Sequence, residues 1–162
     1  MELIEKILSE ENLQKAIRKV KKNKGAPGVD KMTVQEVEEW FNQYKEELIS
    51  KILNKQYKPM PVKRVYIPKP NGKQRPLGIP TVVDRVIQQA MLQVLSEIYE
   101  PIFSDHSYGF RPNRSAHMAM GEVLGYLNAG YEWIVDLDIE KFFDTVNHDK
   151  LISILRERVN DS

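Results

Sequence analysis

Asp136-Leu-Asp-Ile-Glu-Lys-Phe-Phe-Asp144 follows directly on the apolar run Trp133-Ile-Val135. The pattern predicts a buried strand over residues 131–138 that ends in carboxylates. Side chains alternate along a strand, so Asp136 and Asp138 are expected on one face. Two carboxylates at the end of a core strand are costly without a nearby positive charge, and Mg²⁺ prefers oxygen ligands of this kind. The stretch therefore indicates a metal site suited to phosphoryl-transfer chemistry.

Length and composition set the class of protein. The chain has 162 residues, of which 41% are hydrophobic and 29% charged, as in one globular domain. No apolar run approaches the roughly 20 residues that cross a bilayer, and the first residues do not form a secretory signal, so no membrane role is expected. The chain has no cysteine, which excludes disulfides and thiolate metal sites and favours an intracellular location.

Charge is divided unevenly along the chain. Residues 1–80 hold 17 of the 24 Lys and Arg residues but only 10 of the 23 Asp and Glu residues. Two basic runs, Lys15–Lys24 and Lys51–Arg75, contain no acidic residue. A basic half and an acidic half favour a protein that grips a polyanion and holds metal ions nearby. The alternative is that these runs are solvated helix faces.

Apolar spacing and turn residues predict an α+β fold. Asn71-Gly72 between two strand-like runs indicates a β-hairpin, because both residues accept positive φ. Thr33 and Glu36 have the spacing of a capping box at a helix start. The strands are expected over Val62–Pro68, Gln74–Ile79 and 131–138. The helices are expected over 2–22 with a break at Ser9–Asn12, then over 33–54, 82–99, 115–128 and 148–159.

Several blocks occur in a fixed order between about residues 20 and 150. They are Lys24-Gly-Ala-Pro-Gly-Val-Asp30, Ile67-Pro-Lys-Pro-Asn-Gly-Lys-Gln-Arg-Pro-Leu-Gly-Ile-Pro80 with Asp84-Arg-Val-Ile-Gln-Gln-Ala90, Tyr108-Gly-Phe-Arg-Pro-Asn-Arg-Ser-Ala116, and Asp138-Ile-Glu-Lys-Phe-Phe-Asp144. In that order, they resemble the N-terminal extension, the first two fingers blocks and the first palm motif of group II intron reverse transcriptases. The resemblance implies an N-terminal extension over 1–60, fingers over 61–130 and the start of a palm over 131–162.

The chain departs from this family in one respect. The family's second palm motif, Tyr-x-Asp-Asp, supplies further metal ligands, whereas these 162 residues contain no Asp-Asp pair. We therefore expect the chain to be a fingers and partial-palm fragment of a longer enzyme. The fragment is expected to be inactive alone. The predicted strand 131–138 would have unpaired edges, so a homodimer or aggregate is also expected.

The resemblance implies roles for individual residues. Asp138 would be the catalytic metal ligand, with the carbonyl of Ile139 as a second ligand and Asp136 as a weaker candidate, for two Mg²⁺ ions in the complete enzyme. Phe143 would crowd a ribose 2′-hydroxyl and select dNTP; core packing is its alternative. Lys69 and Arg75 would bind the triphosphate, unless the hairpin tip is only solvated.

Basic residues are candidates for RNA binding. Such contacts would be mainly to phosphate and 2′-hydroxyl groups, hence sensitive to salt. Phe110 lies in the Tyr108 block and would pack either on a nucleotide or in the core. The proposed RNA-binding residues are Lys21, Lys22, Lys24, Gly25, Lys63, Arg64, Arg111 and Arg114.

The implied function is RNA-directed DNA polymerase activity in a group II intron protein of the bacterial cytoplasm. RNA template, intron RNA, DNA primer and dNTP are its expected partners. A second hypothesis is an RNA-binding maturase that assists intron splicing, which needs no catalysis. A third is a retron-type or CRISPR-linked reverse transcriptase.

Overall fold

A computed structural model describes residues 2–68, 70 and 72–159. The fold is α+β, with helices and one two-stranded sheet among these residues. The helices are α1 (Leu3–Leu8), α2 (Glu10–Lys22), α3 (Val37–Leu53), α4 (Val82–Tyr99), α5 (Ala116–Asn128), α6 (Phe142–Thr145) and α7 (His148–Arg156), and the strands are β1 (Lys63–Pro68) and β2 (Gln74–Ile79). A short 3₁₀ helix covers Glu100–Ile102.

The chain forms two compact units, residues 1–95 and 96–162. The division falls inside α4, and the domain boundaries at residues 60 and 130 stay a prediction. No helix in the described part of the chain has the length and apolar character needed to cross a membrane.

The first unit has a hydrophobic core. In α2, Leu13, Ala16, Ile17 and Val20 recur at helical spacing, and all four are buried. The other helices contribute the remaining core side chains: Ile7, Leu8, Val37, Phe41, Leu48, Val82, Val83, Val86, Ala90 and Val94, joined by Val34 from the loop before α3. The helical spacing seen in the sequence thus predicts the core of this unit.

A side-chain hydrogen bond marks the start of α2, whereas the start predicted for α3 needs a correction. Ser9 separates α1 from α2, and its hydroxyl accepts from the Asn12 backbone N–H at 3.4 Å. The expected capping box at Thr33 is wrong in detail. The Thr33 hydroxyl and backbone N–H both donate to the Glu36 carboxylate, at 2.6 and 2.8 Å, and α3 begins only at Val37. The pair therefore stabilises a turn that precedes the helix.

The predicted hairpin is confirmed. Strands β1 and β2 pair antiparallel, with Lys63 opposite Ile79 and Ile67 opposite Arg75. Gly72 in the connection has φ of +76°, which a residue without a Cβ adopts at little cost. No described residue of either strand is buried. The hairpin therefore extends from the helical core and packs little against it.

The second unit lacks the predicted strand. Residues 131–139 have no regular secondary structure, so the expectation of a buried strand over 131–138 is wrong here. A strand needs a neighbour for its backbone hydrogen bonds, and none of the described residues pairs with this segment. Apolar side chains stay exposed as a result, including Trp133 at 95% and Leu137 at 89%.

Candidate active site and nucleic-acid interface

The acidic segment is presented at the surface. Asp136, Asp138 and Ile139 all lie in the exposed stretch without regular secondary structure that precedes α6. Lys141 precedes α6 with φ of +52°, which turns the chain sharply into the helix. Phe143 is 91% exposed and its ring centroid lies 5.6 Å from that of Phe142. The core-packing alternative for Phe143 does not hold in this structure.

The donor set fits part of a magnesium site. Among the described residues, no group of three or more His, Asp or Glu side chains is placed to hold a metal ion. Asp136 and Asp138 still offer carboxylate oxygens two residues apart in an exposed segment. Mg²⁺ is commonly held by one or two carboxylates, with water and substrate phosphates completing its shell. The chemistry of these two side chains is therefore compatible with an ion whose remaining ligands come from elsewhere.

The hairpin register assigns its basic side chains to faces. Directly paired residues share a face, and alternate residues along a strand lie on the same face. Lys63 and Arg75 therefore lie on one face, whereas Arg64 lies on the other. All three are exposed. Lys69, the second residue expected to bind triphosphate, lies outside the described residues.

The loop over residues 24–30 is docked on the start of α4. The guanidinium of Arg85 donates to the carbonyl of Ala26 at 2.6 Å. A Cβ on Gly25 would lie 2.2 Å from Arg85 Nη1, and one on Gly28 would lie 2.8 Å from Thr81 Cα. Partial burial lowers the pKa of Arg85, and the nearby charge of Asp30 opposes that shift. Gly28 thus allows the loop to approach the backbone before α4 closely, whereas Gly25 is half-buried and lies against the end of the Arg85 side chain.

The basic run beside this loop is only partly neutralised. Lys21 forms an ion pair with Glu38, and Lys15 pairs with Glu11 at 2.7 Å. Lys22 and Lys24 are exposed, with no ion pair to any described residue. Arg18 and Lys19 of the same run are likewise exposed and without an ion pair among the described residues, so several cations of this run are open to an anion.

Arg111 organises the loop between the 3₁₀ helix and α5. Its side chain is 8% exposed. Its nitrogens donate to the Glu100 carboxylate at 2.9 Å and to the carbonyls of Ser104 and Ser107 at 2.6 and 2.9 Å. The guanidinium faces the chain itself, so an RNA phosphate would have to displace these partners. Arg114, predicted beside it, donates to Asp105 at 2.9 Å and is more accessible.

Glu122 of α5 ties the same loop to its helix. Its carboxylate accepts from the hydroxyl of Tyr108 and from Tyr126 at 3.2 Å, and it pairs with His106. Hydrogen bonding, first from Tyr108, lowers the pKa of Glu122. Phe110 stands at the tip of this braced loop, fully exposed and with φ of +56°. Of its two predicted roles, core packing is not what the structure shows.

Asp84 is a buried carboxylate that the sequence analysis did not single out. It is 3% exposed, and its oxygens accept from the hydroxyls of Tyr57 and Thr81 and from the Met60 backbone N–H. A carboxylate among the valines at the start of α4 was the signal that could have identified it. A cavity of about 600 Å³ opens beside it, with Trp40 in its wall. None of the predicted metal, nucleotide or RNA ligands lines this cavity.

Comparison with known proteins defines the class. Residues 67–161 match the model of the family described as "Reverse transcriptase (RNA-dependent DNA polymerase)". The match covers the end of β1, then β2, α4, the loop braced by Arg111 and the acidic segment. The chain belongs to the reverse transcriptase family.

Individual relatives point to intron-encoded members of that family. The chain is 43% identical over 123 residues to the group II intron-encoded protein LtrA of Lactococcus lactis subsp. cremoris, covering 73% of this chain and 20% of LtrA. It is 40% identical over 166 residues to protein YkfC of Escherichia coli, covering 99% of this chain and 44% of YkfC. The nuclear intron maturase 1, mitochondrial, of Arabidopsis thaliana is 33% identical over 82 residues, covering 51% of this chain and 11% of that protein. The chain thus spans less than half the length of these relatives.

Proposed function

We propose that this chain is the fingers and first palm portion of a group II intron reverse transcriptase, an RNA-directed DNA polymerase. The observation that carries the proposal is the family match over residues 67–161, because it includes both β2 with Arg75 and the acidic segment. Strong similarity to an intron-encoded protein supports the assignment to group II introns. RNA template, DNA primer and dNTP are the substrates that this reaction requires.

The acidic segment holds the metal ligands in this proposal. Asp138 is the principal ligand, the Ile139 carbonyl a second one, and Asp136, two residues earlier, a weaker candidate. Bound divalent ions, two in the complete enzyme, would stabilise the charge that develops at phosphorus. Exposed carboxylates that precede a sharp turn support this assignment, since they can reach a phosphate that approaches from solvent.

Nucleotide selection falls to the hairpin and Phe143. Arg75, with Lys69 near it in sequence, meets the triphosphate, and Lys63 adds positive charge on the Arg75 face. The exposed ring of Phe143 lies five residues beyond Asp138, where it can press against C2′ of the incoming sugar. An added 2′-hydroxyl would then meet the ring.

RNA binding is assigned to the remaining basic surface. Lys22 and Lys24 are the leading contacts, with Lys21, Arg64 and Arg114 as further ones. The docked 24–30 loop supports this role because it holds Lys24 against a folded body. Gly25 and Arg111 contribute by shaping the two loops, since their environments are occupied by the chain itself.

A chimera tests the polymerase assignment. In LtrA, the matching region would be replaced by the aligned residues of this chain, and primer extension measured on an RNA template with Mg²⁺. We expect extension, and a loss of roughly a hundredfold or more for Asp138→Ala, since even outer-shell metal partners contribute 10–100-fold. Asp149→Ala, at the exposed first turn of α7, is the matched control and should remain active. A folded, RNA-binding chimera that extends no primer would contradict the assignment.

RNA binding by a maturase is the second candidate. It is favoured by the similarity to the plant intron maturase. It predicts that the 162-residue chain binds RNA without extending primers. Fluorescence anisotropy with labelled single-stranded RNA at several salt concentrations tests this. Lys22→Ala with Lys24→Ala should reduce the salt slope by about 1.4, because each phosphate contact contributes about 0.7. An unchanged salt slope would show that neither lysine contacts the RNA.

A further inference from the structure

The two ends of the hairpin segment meet at one side chain. The chain leaves the helical core after Met60, forms β1 and β2, and returns at Thr81. The Asp84 carboxylate contacts both points. One oxygen, Oδ2, accepts from the Met60 backbone N–H at 3.3 Å and from the Thr81 hydroxyl at 2.6 Å. The other, Oδ1, accepts from the hydroxyl of Tyr57, three residues before Met60.

A helix cap alone does not explain this arrangement. Thr81 precedes α4, and its hydroxyl accepts from the Asp84 backbone N–H at 3.2 Å, which is ordinary capping. A carboxylate in the first turn also gains from the partial positive charge of the helix N-terminus. The contacts to Tyr57 and Met60 are different, because they cross 27 and 24 residues of sequence. They connect the first turn of α4 to the segment that leads into β1, and they do not cap the helix.

Because Asp84 is buried, the loss of any one of these hydrogen bonds would be costly. Asp84 is 3% exposed and has no ion pair with a described residue, so its desolvation is offset by hydrogen bonds and by the helix N-terminus. Removing a donor to a buried acceptor costs more than removing a solvated contact. In contrast, no described residue of β1 or β2 is buried. The strongest constraint on the direction of the hairpin therefore lies at its base.

We propose that Asp84 is a positioning residue that sets the orientation of the β1–β2 hairpin, and through it the place of Arg75 over an incoming nucleotide. The orienting role stands on the geometry above. Its consequence for nucleotide binding rests on the proposed function. Asp84 acts through Tyr57, Met60 and Thr81 and touches neither substrate nor metal.

A distance measurement tests the orientation directly. The chain has no cysteine, so spin labels can be placed at Gln43→Cys on α3 and Gln74→Cys on β2, both exposed and both in the first unit. Pulsed electron spin resonance then gives the distribution of distances between them. Tyr57→Phe removes one hydroxyl from the tether and is the deciding variant. Asp84→Asn, which keeps the shape of the side chain, is the second variant.

The matched control is Tyr44→Phe. Tyr44 lies on α3, is exposed, and is not among the residues that donate a hydrogen bond to Asp84, so loss of its hydroxyl tests the substitution itself. We expect a shifted or broadened distribution for Tyr57→Phe and Asp84→Asn, and an unchanged one for Tyr44→Phe. Helix content should stay that of the parent chain by circular dichroism. A distribution identical to that of the parent in both tether variants would overturn the proposal.

A kinetic measurement separates this proposal from the proposed function. In the LtrA chimera, Tyr57→Phe should raise the KM for dNTP by up to roughly tenfold with a smaller change in kcat, because small displacements of a binding group weaken its contact. An equal fall in kcat and kcat/KM with unchanged KM would argue against positioning. If the chimera extends no primer, the proposed polymerase function is refuted. The distances between the two spin labels would still test the role of Asp84.

Discussion

Gly28→Ala tests the docking of the 24–30 loop. The added Cβ would lie 2.8 and 2.9 Å from Thr81 Cα and N, and 3.0 Å from the Pro80 carbonyl oxygen. These are backbone atoms, so no side-chain rotation relieves the contact. Overpacking of this kind costs about 1–3 kcal/mol, offset by about 0.4–1 kcal/mol because alanine restricts the unfolded chain. We expect a net loss of about 1–2 kcal/mol in the free energy of unfolding.

Thermal unfolding measures this loss, with a second glycine as the control. For a chain of this size, each kcal/mol lowers Tm by about 2–4 °C. Gly109→Ala is the matched variant, because a Cβ there meets no atom within 4 Å. Gly28→Ala should lower Tm by about 2–8 °C and weaken RNA binding, since Lys24 moves with the loop, whereas Gly109→Ala should do neither. Equal Tm values for the two variants would refute the close-packing argument.

Further predictions concern pH, nucleotide binding and assembly. Burial, followed by the hydrogen bond to Asp84, raises the pKa of Tyr57 above its usual value near 10. The unfolded chain would therefore lose this proton first, so the free energy of unfolding should fall as pH rises above 10, and Tyr57→Phe should flatten that fall in urea titrations. In the LtrA chimera, Arg75→Ala should raise the KM for dNTP roughly tenfold or more, as expected for a lost charge-assisted contact, and unchanged kinetics would remove it from the site. In the same chimera, Phe143→Ala should increase ribonucleotide incorporation, which competition between dNTP and rNTP measures; unaltered discrimination would count against a steric gate. The exposed apolar residues of the second unit predict a concentration-dependent mass by light scattering, and a constant monomer mass would exclude the expected dimer.

Local patterns predict those elements whose stability is local or is completed by nearby helices. The bounds expected for α4, 82–99, are those observed, and the hairpin forms between the two runs that its turn residues indicated. The core of the first unit follows from helical spacing. In each case the hydrogen bonds close within the element, so neighbouring residues suffice to specify it.

Prediction was weaker where the outcome depends on residues distant in sequence. A strand over 131–138 requires a partner strand, and an apolar run cannot supply one. Arg111 is of a residue type that often binds phosphate. Its side-chain N–H groups, however, already donate to Glu100 and to the carbonyls of Ser104 and Ser107. Sequence position alone does not reveal which donors are already satisfied.

The sequence by itself determined the family, through the order of its motifs, and the helices and hairpin, through their periodicity. Only the tertiary structure decided that Asp84 joins both ends of the hairpin, that Gly28 lets a loop rest on α4, and that Phe110 and Phe143 stay exposed. The physical reason is the range of the interactions. Periodicity reports contacts within one turn or one strand pair, whereas burial and hydrogen-bond satisfaction depend on atoms brought together from far along the chain.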